Sequence, residues 1–308
     1  MKKVLGIDIG GTNIRAAVVD PDGNILSRKK VKSNAREGID KLILNLEEII
    51  AQFSEYETSC IGIGIPGIID QKNGVLTQAP NIRAVKNFPL FSELGKRPGF
   101  NNFIVENDAN AAALGEFWKG AGSGSNSMLM ITIGTGLGGG IVLNGELWRG
   151  EDGMAGEIGH IILDPDGPKC NCGSNGCFES FVSAEAVRHI VNSSKDLKGI
   201  SADSHLDDIP EQVMKLALEG NQESIKIWDN MGTNLGIGIT SLVNLLNVDT
   251  VIIGGGLSNA WDLFKSSMNS EIKRRALSGP AERLSVYRAK LGDDAGIMGS
   301  AYLAFKNL

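Results

Sequence analysis

Three of the chain's four cysteines fall within eight residues, Cys170, Cys172 and Cys177 in the stretch KCNCGSNGCFES, and His160 stands ten residues before the first of them. Three thiolates and one imidazole form the closed tetrahedral donor set of a structural zinc site, with no position left open for water or substrate. Gly173 and Gly176 supply the tight backbone that lets ligands so close in sequence converge. The competing reading is three unrelated cysteines in a glycine-rich loop. Cys60 lies in the apolar run CIGIGIP and reads as a small hydrophobe packed in a strand.

A second chemistry is suggested by glycine. LGIDIGGTNIRAAVVD and LMITIGTGLGGGIVLN each place an apolar strand, a glycine-threonine turn and a second apolar strand in that order. Glycine lets phosphate oxygens approach backbone N–H groups, so the turns Gly10-Gly11-Thr12-Asn13 and Gly134-Thr135-Gly136 are expected to hold a polyphosphate. A third strand-to-turn-to-helix element, VIIGGGLS with Gly254, Gly255 and Gly256, points the same way. Neither hairpin has the lysine of a Walker loop, and either alone would read as an ordinary β-turn.

Composition limits the class. The 308 residues suit two domains, and 42% hydrophobic with 21% charged residues excludes global disorder. With a net charge of −6 and no basic patch around the cysteine loop, a zinc module for nucleic acid is a poor fit. The N-terminal run MKKVLGIDIG is interrupted by Asp8 and shows no small-residue cleavage site, so no signal peptide is expected. The late apolar segment is broken by Asn234, Asn244, Asn247 and Asp249, short of the roughly 18 apolar residues of a membrane span. The expected compartment is the cytoplasm, where thiols stay reduced and clustered cysteines favour metal over disulfides.

These groups need a scaffold. Strands are expected at 3–9, 14–20, 24–32, 59–65, 103–107, 127–134 and 138–143. The spacing of Ile39, Leu42, Ile43, Leu46, Ile49, Ile50 and Phe53 predicts an amphipathic helix, and further helices are expected near 183–193, 208–219, 222–246, 258–276 and 294–305. Gly232 and Gly236 on the long helix suggest close helix packing. The class is mixed α/β. Asp108 ends the apolar strand FIVEN and starts the helical run ANAAALGEFW, and on position alone it reads as an N-cap. Asp8, beside the first turn, is a candidate for holding Mg²⁺ through water, or a turn-stabilising group.

The order of DIGGTNIR, GIGIPGIID, ENDANAAALGE, IGTGLGGGIV, GEIGH with the cysteine loop, and VIIGGGLS resembles the ROK family of sugar kinases and repressors, from Val4 to about residue 303. The histidine-plus-cysteine loop is the most specific part. The resemblance implies an actin-like (ribonuclease H-like) duplicated fold of two α/β domains around a central cleft. Residues 1–106 with the C-terminal helix, about 294–308, would form the smaller domain, and 107–293 the larger one with the zinc loop. It implies ATP-dependent phosphorylation of a hexose, first of all glucose, with Mg²⁺, and it makes Asp108 the carboxylate that takes the hydroxyl proton. The matching sugar contacts are Asn107, Glu157, His160 and Glu179, with Gly67 and Asn81 from the first domain. The small or apolar flanks of Glu157 and Glu179 argue against solvated surface charges. If His160 gives one ring nitrogen to zinc, the other is left for a sugar hydroxyl. N-acetylmannosamine, N-acetylglucosamine, allose or fructose as substrate, polyphosphate as donor, and a non-enzymatic sugar-responsive regulator are the alternatives. The family implies a homo-oligomer, dimer or tetramer.

Overall fold

A computed structural model describes residues 2–79, 82–83, 85–194, 196–197, 200, 205–206 and 208–308. The chain forms two compact units: Met1–Asn126 with Gly140–Gly156 and Lys290–Leu308, and Ser127–Gly139 with Glu157–Ala289. Among the described residues no helix is long and apolar enough to cross a membrane.

In the first unit, five strands are ordered Ile25–Lys32, Asn13–Val19, Val4–Ile9, Cys60–Ile65 and Phe103–Asn107. The first three pair antiparallel and the last three parallel. The inner strands Val4–Ile9 and Cys60–Ile65 are mostly apolar because both faces of the sheet are buried, with Asp8 the polar exception. On one face, Leu42, Ile43, Leu46 and Ile49 of the Ile39–Ala51 helix join Leu5, Ile7 and Ile63 in a core. On the other face, Ile297, Met298, Ala301 and Ala304 of the Ala295–Lys306 helix pack on Val4, Ala17, Val19 and Cys60. The edge strand ILSRKKVK is mostly exposed, and its lysines discourage pairing with another chain.

Two glycine contacts set how close the C-terminal helix comes. A Cβ at Gly62 would lie 1.8 Å from the Ser300 carbonyl oxygen, and one at Gly299 would lie 1.6 Å from that of Ala111. The Asp108–Lys119 helix and the Ala295–Lys306 helix are thereby locked backbone to backbone. Glu116, fully buried, ties the first helix to the segment that leads into the second: its carboxylate accepts the N–H groups of Ala121, Lys290 and Leu291 at 2.7, 3.0 and 2.7 Å. A small antiparallel sheet, Ile68–Asp70, Val75–Gln78 and Lys86–Phe88, was not anticipated, because three- and four-residue strands are too short to display a period.

In the second unit, Met128–Ile133, Thr250–Gly254 and Ser285–Arg288 run parallel. Among the described residues its longer helices span Ala184–Ser193, Asp208–Leu218, Gln222–Leu246 and Trp261–Arg275. The close packing expected of Gly232 and Gly236 is present. Their Cβ positions would lie 2.3 Å from the Phe264 carbonyl oxygen and 2.6 Å from that of Met268, on the Trp261–Arg275 helix.

The sequence repeat is a structural repeat. Val4–Ile9 and Asn13–Val19 are six and seven residues long with three between them, and Met128–Ile133 and Leu137–Leu143 repeat those lengths and that gap. The leading strand of each pair has a parallel neighbour that carries a second parallel strand outside it.

Candidate active site

In the first unit the site grows from the strand-to-helix junction at Asn107. The helix N-cap is Asn107: its side-chain oxygen accepts from the N–H groups of Ala109 at 2.9 Å and Asn110 at 3.1 Å. Asp108 is the first helical residue, so the reading of Asp108 as the cap is corrected; its own carboxylate receives the Ala109 N–H at 3.0 Å. The Asn107 side-chain nitrogen donates to the Gly67 carbonyl at 3.0 Å. With both acceptor positions of the amide oxygen in use, one amide hydrogen remains to Asn107 for another partner. Gly67 has φ +124°, and a Cβ there would meet the Gln78 carbonyl oxygen at 2.3 Å, so glycine alone places that carbonyl. Asn81 lies outside the described residues.

Asp8 is the next-to-last residue of the Val4–Ile9 strand, with 15% of its side chain exposed and Arg15 Nη1 3.5 Å from its carboxylate. Burial pushes its pKa up to about 6; the negative charge of Asp108 acts in the same direction, and Arg15 opposes both. Beside Asp8, the Gly10 N–H donates to the Asn13 carbonyl at 2.9 Å, and Ser33 ties down Gly11 and Thr12 through their carbonyls. A Cβ on Gly11 would meet nothing within 4 Å.

The second unit gathers the other residues. Gly134 and Gly256 also open onto free space, whereas a Cβ on Gly255 would strike the Ile133 carbonyl oxygen at 2.3 Å. Gly255, at φ +81°, therefore seats the third turn directly on the strand that leads into Gly134. Gly134, Thr135, Gly256, Pro210, Met214 and Trp228 line a cavity of about 480 Å³, large enough for a nucleotide's base and sugar. Gly254 lies behind it, against the Met130 side chain. Pro210, Met214 and Trp228 gave no sequence signal, since an apolar residue on an amphipathic helix reads as core.

Glu179 lies against the second turn: its carboxylate accepts the Leu137 N–H at 2.8 Å. Its neighbour Phe178 is fully buried against Gly238, where any Cβ would fall 2.4 Å from the ring. The long Gln222–Leu246 helix thus anchors the end of the cysteine loop. His160, Cys170, Cys172 and Cys177 present donor atoms that all lie within 4.8 Å of one another. His160 Nδ1 is 3.7 Å from Cys170 Sγ, and the Cys172 and Cys177 sulfurs are 3.6 Å apart with no disulfide. This donor set fits a tetrahedral metal. The nitrogen turned to the sulfurs is Nδ1, which leaves Nε2 outside the cluster. Burial and the neighbouring thiols push Cys177 up to about 12, a proton that a metal would displace. Gly176, at φ +64°, lies where a Cβ would be 1.5 Å from the Asp164 carbonyl oxygen, so the loop closes only with glycine there. Glu157 precedes and His160 ends a single 3-10 turn, Ile158–His160, and both are exposed, so the expectation that the flanks of Glu157 keep it from solvent is corrected: the apolar neighbour Ile158 is buried while the carboxylate side chain is not. Cys60 is buried in its strand, as expected, and burial raises its pKa.

Duplicated strand–turn–strand elements with glycine-rich turns and a metal-competent loop fit the actin-like fold of the sugar kinases, and the comparisons with known proteins establish that class. The ROK family model matches residues 4–307, and this chain belongs to that family. A glucokinase of Thermotoga maritima is 35% identical over 305 residues, 97% of this chain and 96% of the relative. A Streptomyces coelicolor glucokinase is 36% identical over 314 residues, 99% and 98% of the two chains. A crystal structure of a Streptomyces griseus ROK family glucokinase in complex with glucose and AMPPNP superimposes with a TM-score of 0.83 at 34% identity, covering 99% of both chains.

Proposed function

We propose that this chain transfers the γ-phosphoryl group of ATP to a hexose hydroxyl, converting glucose to glucose 6-phosphate. The observation that carries the reading is the placement of Asp108 as the first residue of the Asp108–Lys119 helix, directly after Asn107, whose side chain makes the N-cap hydrogen bonds. The glucokinases among its relatives supply the sugar and the donor.

Phosphoryl transfer through a loose transition state needs alignment, charge neutralisation and late removal of the hydroxyl proton. Asp108 accepts that proton. Asn107 donates its one remaining amide hydrogen to a sugar oxygen. Glu179 and Glu157 accept from sugar hydroxyls, and His160 meets another through Nε2 while Nδ1 faces the metal. Gly67 contributes through the carbonyl that orients Asn107, and Asn81 is assigned to the sugar by its place in the motif alone. The backbone N–H groups of Gly10–Asn13, Gly134–Gly136 and Gly254–Gly256 hold the phosphates. Mg²⁺ held by Asp8 through water would spread the charge on those phosphates, and Zn²⁺ on His160, Cys170, Cys172 and Cys177 would stiffen the sugar-binding loop without taking part in the chemistry. A homo-oligomer, dimer or tetramer, is part of the proposal and is read out by light scattering.

A coupled ADP-release assay with ATP or polyphosphate across hexoses and N-acetylhexosamines tests the reading. Glucose with ATP is expected to give the highest kcat/KM. Higher kcat/KM on an N-acetylhexosamine would change the substrate, and no turnover on any sugar would favour a regulator.

A further inference from the structure

We propose that the Glu106–Arg149 ion pair is a positioning device that aims Asn107 and Asp108; the proposal rests on the kinase reading above. Glu106 immediately precedes both residues in the Phe103–Asn107 strand, and only 4% of its side chain is exposed. Its two oxygens have different tasks. Oε1 accepts the Asn107 backbone N–H at 2.9 Å and the Asn110 side-chain amide at 3.0 Å, so it grips the junction from both sides of Asp108. Oε2 accepts Arg149 Nε at 2.6 Å, across 43 residues of chain.

An ion pair with a buried carboxylate and a partly exposed arginine is a poor way to gain stability, because desolvating the carboxylate offsets much of the attraction. What it does supply is direction. A carboxylate fixed by Nε cannot rotate about its own bond, and the two donors on Oε1 then have one fixed point to meet. With its N–H on Glu106, its side-chain oxygen on the helix and its amide on Gly67, Asn107 is held at three points. Asp108 inherits its direction from that residue and from the first helical turn.

Arg149 is itself held. Its carbonyl accepts the Ala155 N–H at 3.1 Å, and within the same loop Gly153, at φ +91°, rests on the Ile69 carbonyl oxygen, 2.5 Å from where a Cβ would stand. The loop therefore fixes the arginine, the arginine fixes Glu106, and Glu106 fixes the junction. Neither residue needs to touch a substrate for this.

The test is a kinetic cycle on the full-length enzyme: wild type, Arg149→Gln, Arg149→Lys, Asp108→Asn, and Asp108→Asn with Arg149→Gln, each with a thermal melt. Arg149→Gln is expected to lower kcat about tenfold or more, since sub-ångström misaiming of a reacting group is that costly. The KM for ATP should stay within about twofold, and Arg149→Lys should recover part of kcat. In the Asp108→Asn background the same change should cost nothing further, because a residue acting through Asp108 has nothing left to act on. Full kcat in Arg149→Gln, or an equal loss in both backgrounds, overturns the proposal while leaving Asp108 as proton acceptor. Near-normal turnover in Asp108→Asn overturns that reading and this proposal with it. If Arg149→Gln does not fold, Glu106→Gln with Arg149→Gln leaves no uncompensated charge and keeps an amide oxygen for Asn107, and it is judged by the same cycle.

Discussion

Gly136 and Glu179 occupy adjoining space: a Cβ built on Gly136 would lie 2.3 Å from the Glu179 carboxylate, which is held there by the Leu137 N–H. A turn assigned to phosphate and a glutamate assigned to sugar are thus in direct contact. Gly136→Ala should displace Glu179 and raise the KM for sugar as well as that for ATP, each by about tenfold, the scale of one lost charge-assisted hydrogen bond. Gly11→Leu, facing open space in the first unit, should raise only the KM for ATP. Steady-state kinetics in both substrates checks the contrast, and an unchanged sugar constant in Gly136→Ala would separate the two functions.

Asp108→Asn should lower kcat by about 10²-fold or more while sugar still binds, the usual worth of a placed general base. Because Asn107 makes the cap hydrogen bonds, the melting temperature should hardly move. Calorimetric sugar titration and a melt accompany the kinetics. A large fall in stability with normal turnover would return Asp108 to a structural role.

The metal-free protein should show Asp8 in its pH dependence. With the folded pKa raised to about 6 from an ordinary 3.8, the group favours the folded state at low pH, and that contribution is lost as pH rises through about 6. Asp8→Asn should therefore melt a few degrees higher than wild type at pH 8, with the gap closing toward pH 4. Asp108→Asn should lower the Asp8 pKa and Arg15→Gln should raise it. Carboxylate NMR titration reads both, and an Asp8 that titrates near 4 in wild type would refute the coupling.

Purified protein should carry about one zinc per chain without added metal, as a closed four-ligand site implies. Cys172→Ser should lose that zinc and bind sugar at least tenfold more weakly, with ATP binding less affected, because the loop ends at Phe178 and Glu179. Elemental analysis and calorimetry decide it. Full sugar affinity in the zinc-free variant would leave the metal as a staple with no tie to the pocket.

Much of this molecule was legible in the sequence because its signals are local. Apolar runs buried on two faces, the helical spacing of Leu42, Ile43, Leu46 and Ile49, and the strand–turn–strand repeat each lie within a few residues of chain. The cysteine cluster was equally local, and three thiols near a histidine have few other uses. The short sheet at residues 68–88 had too few residues per strand to show a pattern.

Tertiary structure decided what depends on distant partners. Sequence could place Asp108 at a helix start but could not say whether Asn107 or Asp108 caps it, since one residue of register exchanges the two roles. Nor could it show that Glu116 takes the N–H groups of Lys290 and Leu291, that Arg149 reaches Glu106, or that Gly136 is a glycine because Glu179 lies against it. Residue types and spacings determine which groups are available and which elements carry them. Which groups meet is settled only when sheets and helices pack, because a contact 42 or 174 residues apart in the chain has no periodicity to announce it.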